Sequence, residues 1–331
     1  VEFKSGTHSK IDSAHDKNSL GIVDFEIVSL FENASVAPLC RDERGPLEGV
    51  RLKGGWGPEV AAAMKERRIP ALQGNYAWGW KSDGCNFLRE VPWLRGLELI
   101  AGTIEDLSPV AELVGLERLN LSCHSRRSVD FSGLQRLQSC SMNWLPGGES
   151  VFRCEGLESL YLDGVKEAQL AGISELRSLK KLTIANSNLS SLAALDGLFQ
   201  LEKLELLNCR KLTQIDGLDR FERLKWLVID GSKAIQDFAP VAAIAGLEIL
   251  NLSDCGKIRT LAFSRGLKKL RAFAFAGSST TVEDGDLSPL EDLPELAMLM
   301  FGPRKHYSHR LVKTWSWSHF STPDRLLEKK G

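Results

Sequence analysis

From Leu47 to Phe301 the apolar residues recur in a fixed phrase. Leu179, Leu182 and Ile184 read L-x-x-L-x-I; Leu201, Leu204 and Leu206 repeat it, and Leu224, Leu227 and Ile229 repeat it again. The last two apolar residues of each phrase lie two apart, so they point to one side of a short strand and the residue between them to the other. Between phrases an apolar residue returns every third position, as at Leu189, Leu192, Leu195 and Leu198. That period suits turns of 3₁₀ helix better than a long α-helix. One such unit cannot bury its own apolar face, so neighbours must stack against it.

The first leucine of successive units falls at 94, 116, 137, 157, 179, 201, 224, 247, 270 and 296, with spacings of 20 to 26 residues. Leu47-x-x-Val50-x-Leu52 and Ile69-x-x-Leu72, degenerate at Gly74, add two earlier units. Self-similarity at this period predicts an α/β leucine-rich repeat solenoid. Its curved parallel β-sheet lines the concave face, short 3₁₀ or α arms form the convex face, and each end carries a cap. The expected division is a tail and cap over 1–46, the solenoid over 47–303 and a C-terminal cap over 304–331.

Several local signals refine this picture. Ile22–Phe31 alternates like a strand able to cover the open end of the first unit. Pro58, Glu59, Lys65, Arg67 and Arg68 fit the two poles of a helix. Asp106-Leu107-Ser108-Pro109 and Asp286-Leu287-Ser288-Pro289 are near-identical starts of arms. In the unit from Leu137, Cys140 and Met142 replace aliphatics and Leu145-Pro146-Gly147-Gly148 interrupts the pattern, predicting a looser arm. After Phe301, Leu311, Trp315, Trp317 and Phe320 suggest a capping strand, and Thr322-Pro323-Asp324 the start of a short helix reaching Lys330.

Composition narrows the partners. The chain has 331 residues, 43% of them hydrophobic, and a formal net charge of −1. Near-neutrality argues against a nucleic-acid or anionic-membrane binder, and no apolar run approaches the length of a membrane helix. Residues 1–20 are polar, without a basic-apolar-small leader pattern. Seven cysteines show no C-x-x-C spacing, and Cys209 and Cys255 fall in the turn after a strand. They read as reduced structural thiols, which suits a cytoplasmic protein. The Asn-x-Ser triplets at Asn120 and Asn251 are by-products of the repeat, since their middle Leu is a core position.

Asn188-x-x-Ser191-Leu192, with Leu189, Leu195, Leu198, Leu201, Leu204 and Leu206, resembles the bacterial internalin-type repeat over roughly residues 47–301. The resemblance implies a protein-binding scaffold that uses its concave face. The chain departs from secreted internalins in showing no signal peptide, wall anchor or immunoglobulin-like extension. Gly54-Gly55-Trp56-Gly57-Pro58 and Asn75-Tyr76-Ala77-Trp78-Gly79-Trp80 are similar to small cytoplasmic bacterial repeat proteins, some of which are thought to act as immunity proteins or adaptors.

Catalytic signals are poor. Cys40-Arg41-Asp42 resembles the motif of repeat-containing ubiquitin ligases, but it precedes the repeats and no large helical domain accompanies it. His306, His309 and His319 lack a carboxylate or Cys at metal-ligand spacing and read as surface histidines. No Walker-type loop, H-E-x-x-H or G-x-S-x-G occurs. No enzyme activity and no cofactor are expected.

The residues facing away from the core are the informative ones. The central column runs Arg51, Gln73, Glu98, Asn120, Ser141, Tyr161, Thr183, Glu205, Val228, Asn251, Ala274 and Met300. One flank carries Arg118, Lys181, Lys203, Trp226, Ile249, Ala272 and Met298, the other Asn143, Asp163 and Asp230. The later part is apolar, which predicts a covered surface, either by the chain's own C-terminal cap or by a partner. The expected partner-binding set is Arg118, Asn120, Asn143, Tyr161, Asp163, Lys181, Lys203, Glu205, Trp226, Val228, Asp230 and Asn251, with Tyr161 and Trp226 as anchors. The function read from this is a protein-binding scaffold, monomeric or complexed with its partner, with an inhibitor or immunity protein as one form. The alternatives are the substrate receptor of an effector or ligase-type enzyme and a self-associating structural array.

Overall fold

The computed structural model describes residues 25–31, 45–82, 84–312 and 326–330. Thirteen strands form one sheet whose spatial order follows the chain. They are β1 (Phe25–Leu30), β2 (Leu47–Leu52), β3 (Ala71–Asn75), β4 (Gly96–Thr103), β5 (Arg118–His124), β6 (Ser139–Asn143) and β7 (Ser159–Asp163). Then come β8 (Lys181–Ala185), β9 (Lys203–Leu207), β10 (Trp226–Asp230) and β11 (Ile249–Asn251). A two-residue strand, β12 (Lys257–Ile258), precedes β13 (Ala272–Phe275), and another, β14 (Thr281–Val282), precedes β15 (Met298–Phe301). β12 and β14 pair with each other outside the main sheet. Every neighbour in the main sheet is parallel except β1, which lies antiparallel on β2.

The register is that of the leucine phrase. Leu182 pairs with Leu204, Leu204 with Leu227, Leu227 with Leu250, Leu250 with Phe273 and Phe273 with Leu299. All six are at most 2% exposed. A slip of one residue would turn a column of leucines to solvent, so burial itself fixes the register. Behind the sheet the arms are mostly 3₁₀ turns, as at Leu192–Leu195, Leu218–Arg220 and Ala239–Ala243. Their apolar residues close the core from the far side. The longest helix among the described residues, α1 (Pro58–Arg67), carries Pro at its start, Glu59 in its first turn, and Lys65 and Arg67 in its last.

In the main sheet, each strand from β7 to β13 is followed within three residues by one with a left-handed backbone. These are Gly164, Asn186, Asn208, Gly231, Asp254 and Gly277. The N–H of each of the first five donates to a carbonyl of the following unit, for example Asn186 to Leu207, Asn208 to Asp230 and Gly231 to Ser253. Gly, Asn and Asp are the residues that tolerate this conformation, which is why they recur there. The buried thiols serve the same end of the strand: Cys209 donates to the Ile184 carbonyl at 3.8 Å and Cys255 to that of Ile229 at 3.0 Å.

The aspartates that open the arms act through their carboxylates. Asp106 accepts from the Ser108 N–H and Asp286 from that of Ser288, each at 2.9 Å, and Asp237 caps Ala239 in the same way at 2.8 Å. The unit from Leu137 is tight where a loose arm was expected. Cys140, Met142 and Leu145 are at most 2% exposed. Pro146 and Gly147 form a compact turn that receives the Val129 N–H at 3.0 Å, with Gly147 at φ +81° against the Val129 backbone.

The C-terminal end departs from expectation as well. Leu327–Lys329 is a strand, β17, where a helix was expected; it pairs antiparallel with β16 (His309–Leu311). Leu327 is buried opposite Leu311, and the Lys330 N–H donates to the Ser308 carbonyl. Extended pairing thus satisfies backbone groups that a single helical turn would leave open. Tyr307, 2% exposed, packs edge-on against Phe301, and its hydroxyl accepts from the Val282 N–H. Trp315, Trp317, His319, Phe320, Thr322, Pro323 and Asp324 lie outside the described residues, as does the Cys40-Arg41-Asp42 tripeptide.

Candidate binding surface on the concave sheet

Period-two alternation places every second strand residue on the open face. The central column is continuous in register from Arg51 opposite Gln73 to Ala274 opposite Met300. Its chemistry changes along its length.

The N-terminal third is occupied by its own hydrogen bonds. Arg51 donates to Glu26 at 2.7 Å and to Gln73, Gln73 donates to Glu98, and Asn120 donates to the other Glu98 oxygen at 3.1 Å. Ser122 completes the series on Asn120 at 3.2 Å. Lys53 pairs with Glu26 and lowers that carboxyl, with Arg51 adding to the effect. Arg51 also lies 4.5 Å over the Trp78 ring.

Arg118 takes its register position on β5 but is only 4% exposed. Its guanidinium donates to the Gly45 carbonyl at 2.5 Å and sits 5.9 Å from the Phe31 ring. Phe31 itself is seated over Gly96, where an added Cβ would stand 2.5 Å from its ring. Arg118 is therefore held by the N-terminal cap and is not presented to solvent. Val228, at 8% exposure, is likewise withdrawn, between Glu205 and Asn251.

The middle of the face brings together most of the remaining residues. Tyr161 and Asp163 on β7, Lys181 on β8, Lys203 and Glu205 on β9, and Trp226 and Asp230 on β10 are all half-buried and span four adjacent strands. Lys203 reaches Glu205 at 2.9 Å and the Trp226 ring at 4.8 Å, while Thr183 donates to Glu205 at 2.7 Å. A cation over the indole face, held by a carboxylate, fixes the orientation of Trp226 before anything binds. Its indole nitrogen is buried without a hydrogen-bond partner. Asn186 donates to Asp163 at 2.7 Å. Burial raises the Tyr161 hydroxyl, and Asp163 and Glu205 push in the same direction. Burial, then the neighbouring Asp254, raises the Asp230 carboxyl. Asn143 lies beside Asp163 in register, and Asn251 accepts from the N–H and hydroxyl of Ser253.

Sequence reasoning passed over the residues that follow the strands. Asn186, Asn208 and Asp254 form one edge of this face. Their signal was present as the Gly, Asn or Asp that follows the outward flank position in the six successive units from β7 to β13.

The far end is apolar: Ile249, Ala272, Ala274, Met298 and Met300, the last 38% exposed. Among the described residues the C-terminal hairpin packs against Gly285 and Leu287, at the end of the solenoid. The histidines there serve packing. His306 meets the Val282 carbonyl at 2.8 Å, while His309, 2% exposed, meets Ser308 at 2.7 Å and Glu291 at 3.3 Å. Among the described residues no group of three or more His, Cys, Asp or Glu is arranged to hold a metal ion, and no helix is long and apolar enough to cross a membrane.

No protein-family model and no curated protein sequence matches the chain. Solved structures do. An internalin (inlF) from Listeria monocytogenes aligns with a TM-score of 0.52 and 21% identity over 64% of this chain and 62% of its own. A leucine-rich repeat protein of Leptospira interrogans aligns at 0.47 and 16% identity over 75% of this chain and 69% of its own. The leucine-rich repeat domain of the type III effector XopL aligns at 0.48 and 20% identity over 75% and 82%. The chain thus spans less than two thirds of the internalin that it matches. The internalin likeness speaks to fold alone, and on fold it agrees with the thirteen-stranded sheet and its 3₁₀ arms: over its described residues this chain is a leucine-rich repeat solenoid.

Proposed function

We propose that the chain is a non-enzymatic protein-binding module that grips one partner protein on the middle and C-terminal part of its concave sheet. The observation that carries this reading is the pre-oriented Trp226, held under Lys203 and beside the Lys203–Glu205 pair, on a face whose N-terminal third is already satisfied internally. Rigid aromatics set among charged groups dominate protein interfaces. Tyr161 is the second anchor, with Asp163, Lys181, Glu205 and Asp230 supplying charge matching and Asn143 and Asn251 polar contacts. Among the described residues all six cysteines are buried and outside any disulfide, which supports a reducing, cytoplasmic setting. An inhibitor or immunity role is one form that this binding takes.

The test uses wild-type, Trp226→Ala and Tyr161→Ala chains as baits in the native host, followed by titration calorimetry with the recovered protein. Each substitution lowers affinity by about 2 kcal/mol or more and leaves the unfolding midpoint in place. Phe199→Ala, at a 59% exposed residue of an arm, serves as the control. Unchanged affinity for both concave variants removes this surface from consideration.

A further inference from the structure

The apolar end of the concave face is shaped as well as greasy. The outward residues of β13 and the chain just after it are Ala272, Ala274, Ala276 and Gly277, so this strand offers almost no side chain above the sheet. Its neighbours do. Ile249 stands opposite Ala272 on one side, Met298 and Met300 stand opposite Ala272 and Ala274 on the other. A methionine carries Cγ, Sδ and Cε beyond the point where an alanine stops, so the strand is the floor of a trough. Two strand spacings separate the walls, about 9–10 Å. From Ala272 to Gly277 the floor runs roughly 17 Å. An α-helix with its side chains is about 10–12 Å across and would ride on the walls, whereas an extended segment fits between them.

Charge specifies the occupant further. Asp254 closes one end: its carboxylate lies over Gly277, with Oδ1 receiving the Ser279 hydroxyl at 2.9 Å. Asp230 faces the same corner, half-buried and close enough to Asp254 to feel its charge. Among the described residues neither aspartate has a Lys or Arg ion-pair partner, although cations elsewhere on this face are paired, as Arg51, Lys53 and Lys203 are with Glu26 and Glu205. Arg304, beyond the far wall, is committed to the carbonyls of Ser278 and Thr280. Two carboxylates brought together by the fold and left without a counter-charge favour an incoming cation.

We infer that this trough receives an extended segment of the partner protein that presents apolar side chains at alternate positions to the alanine floor and a lysine or arginine to Asp230 and Asp254. The inference rests on the concave-face reading above and names the chemistry of the partner. An extended segment alternates its side chains with period two, so residues i and i+2 rest on the floor and a basic residue beyond them reaches the acidic corner.

The experiment pans a displayed library of random twelve-residue peptides against the full chain, then measures the enriched peptides by fluorescence anisotropy at two salt concentrations. Enriched sequences carry a Lys or Arg next to apolar residues at i and i+2, and Ala274→Arg weakens them at least tenfold. Asp230→Asn with Asp254→Asn weakens them about tenfold and flattens their salt dependence. Asparagine preserves the left-handed backbone at 254. If Ala274→Arg fails to fold, Met300→Asp, on the exposed wall, takes its place. Failure to enrich, enrichment without basic residues, or equal binding to Ala274→Arg overturns the inference. Peptides lost with Tyr161→Ala but indifferent to Ala274→Arg overturn the trough while leaving the concave-face reading standing; peptides indifferent to both overturn both. Self-association by light scattering that Ala274→Arg abolishes assigns the trough to a second copy of the chain and also overturns it.

Discussion

Leu204 and Lys203 are adjacent in sequence and opposite in consequence. Leu204 is fully buried, and the residues that pair with it on either side, Leu182 and Leu227, are fully buried too. Leu204→Ala removes three carbons, a transfer loss of about 2.4 kcal/mol at about 0.8 kcal/mol per buried group. To this is added the cavity. Its neighbours are held about 4.8 Å away by backbone ladders, so they move little toward the gap. The total expected is about 3–5 kcal/mol, the upper part of the range for a buried leucine. Guanidinium unfolding followed by far-UV circular dichroism reads it as a lowered midpoint. Hydrogen exchange places it in β8, β9 and β10, because a solenoid unit answers only to its neighbours. Lys203→Met, by contrast, removes the pair with Glu205 and the contact with Trp226 but opens no cavity, and costs about 1 kcal/mol. A Leu204→Ala loss below about 1 kcal/mol with an unchanged denaturant slope would refute the claim that register-locked neighbours prevent collapse.

Three further outcomes follow from particular contacts. Arg118→Ala removes the hydrogen bond to Gly45 and the contact with Phe31, so β1 gains hydrogen exchange while β8 to β10 do not, at a cost of about 1–3 kcal/mol. Gly277→Ala meets both φ +98° and the Asp254 carboxylate, and lowers stability by at least about 1–2 kcal/mol in thermal unfolding. Burial pushes the Cys85 and Cys255 thiols up to about 12 from an ordinary value of 9.0, so the folded chain keeps protons that the unfolded chain releases. That stability is fully present below pH 9.0 and is lost as pH rises toward 12. Denaturant midpoints measured from pH 8 upward should therefore fall above 9, and Cys85→Ala with Cys255→Ala should flatten the decline.

The columns of the sheet were legible because strand alternation is a local rule: Leu182, Leu204 and Leu227 announce both their own burial and the exposure of Thr183, Glu205 and Val228 as outward positions. What stayed hidden depends on contacts between distant parts of the chain. Nothing near Arg118 says that Gly45, 73 residues away, will take its guanidinium. Val228 follows the outward rule and is still buried at 8% exposure. The hydrogen-bonded series from Glu26 to Ser122 needs six side chains to choose each other as partners, and composition does not record that choice. At Leu327–Lys329 a Thr-Pro-Asp start suggested a helix, whereas the open backbone of β16 made pairing the better outcome. The left-handed column runs through Gly164, Asn186, Asn208 and Gly231, residue types common to any turn; what distinguishes it is that their N–H groups reach the next unit.

That column also bears on how such a chain changes length. Thr183 and Glu205 are equivalent positions 22 residues apart, and the backbone bond that joins their units begins and ends at the same place in each. A duplicated block of that length would inherit a donor for the unit after it and an acceptor for the unit before it. Growth by whole blocks in the interior therefore needs no new joint, whereas a block added at either end would have to displace Phe31 from Gly96 and Arg118, or Tyr307 from Phe301.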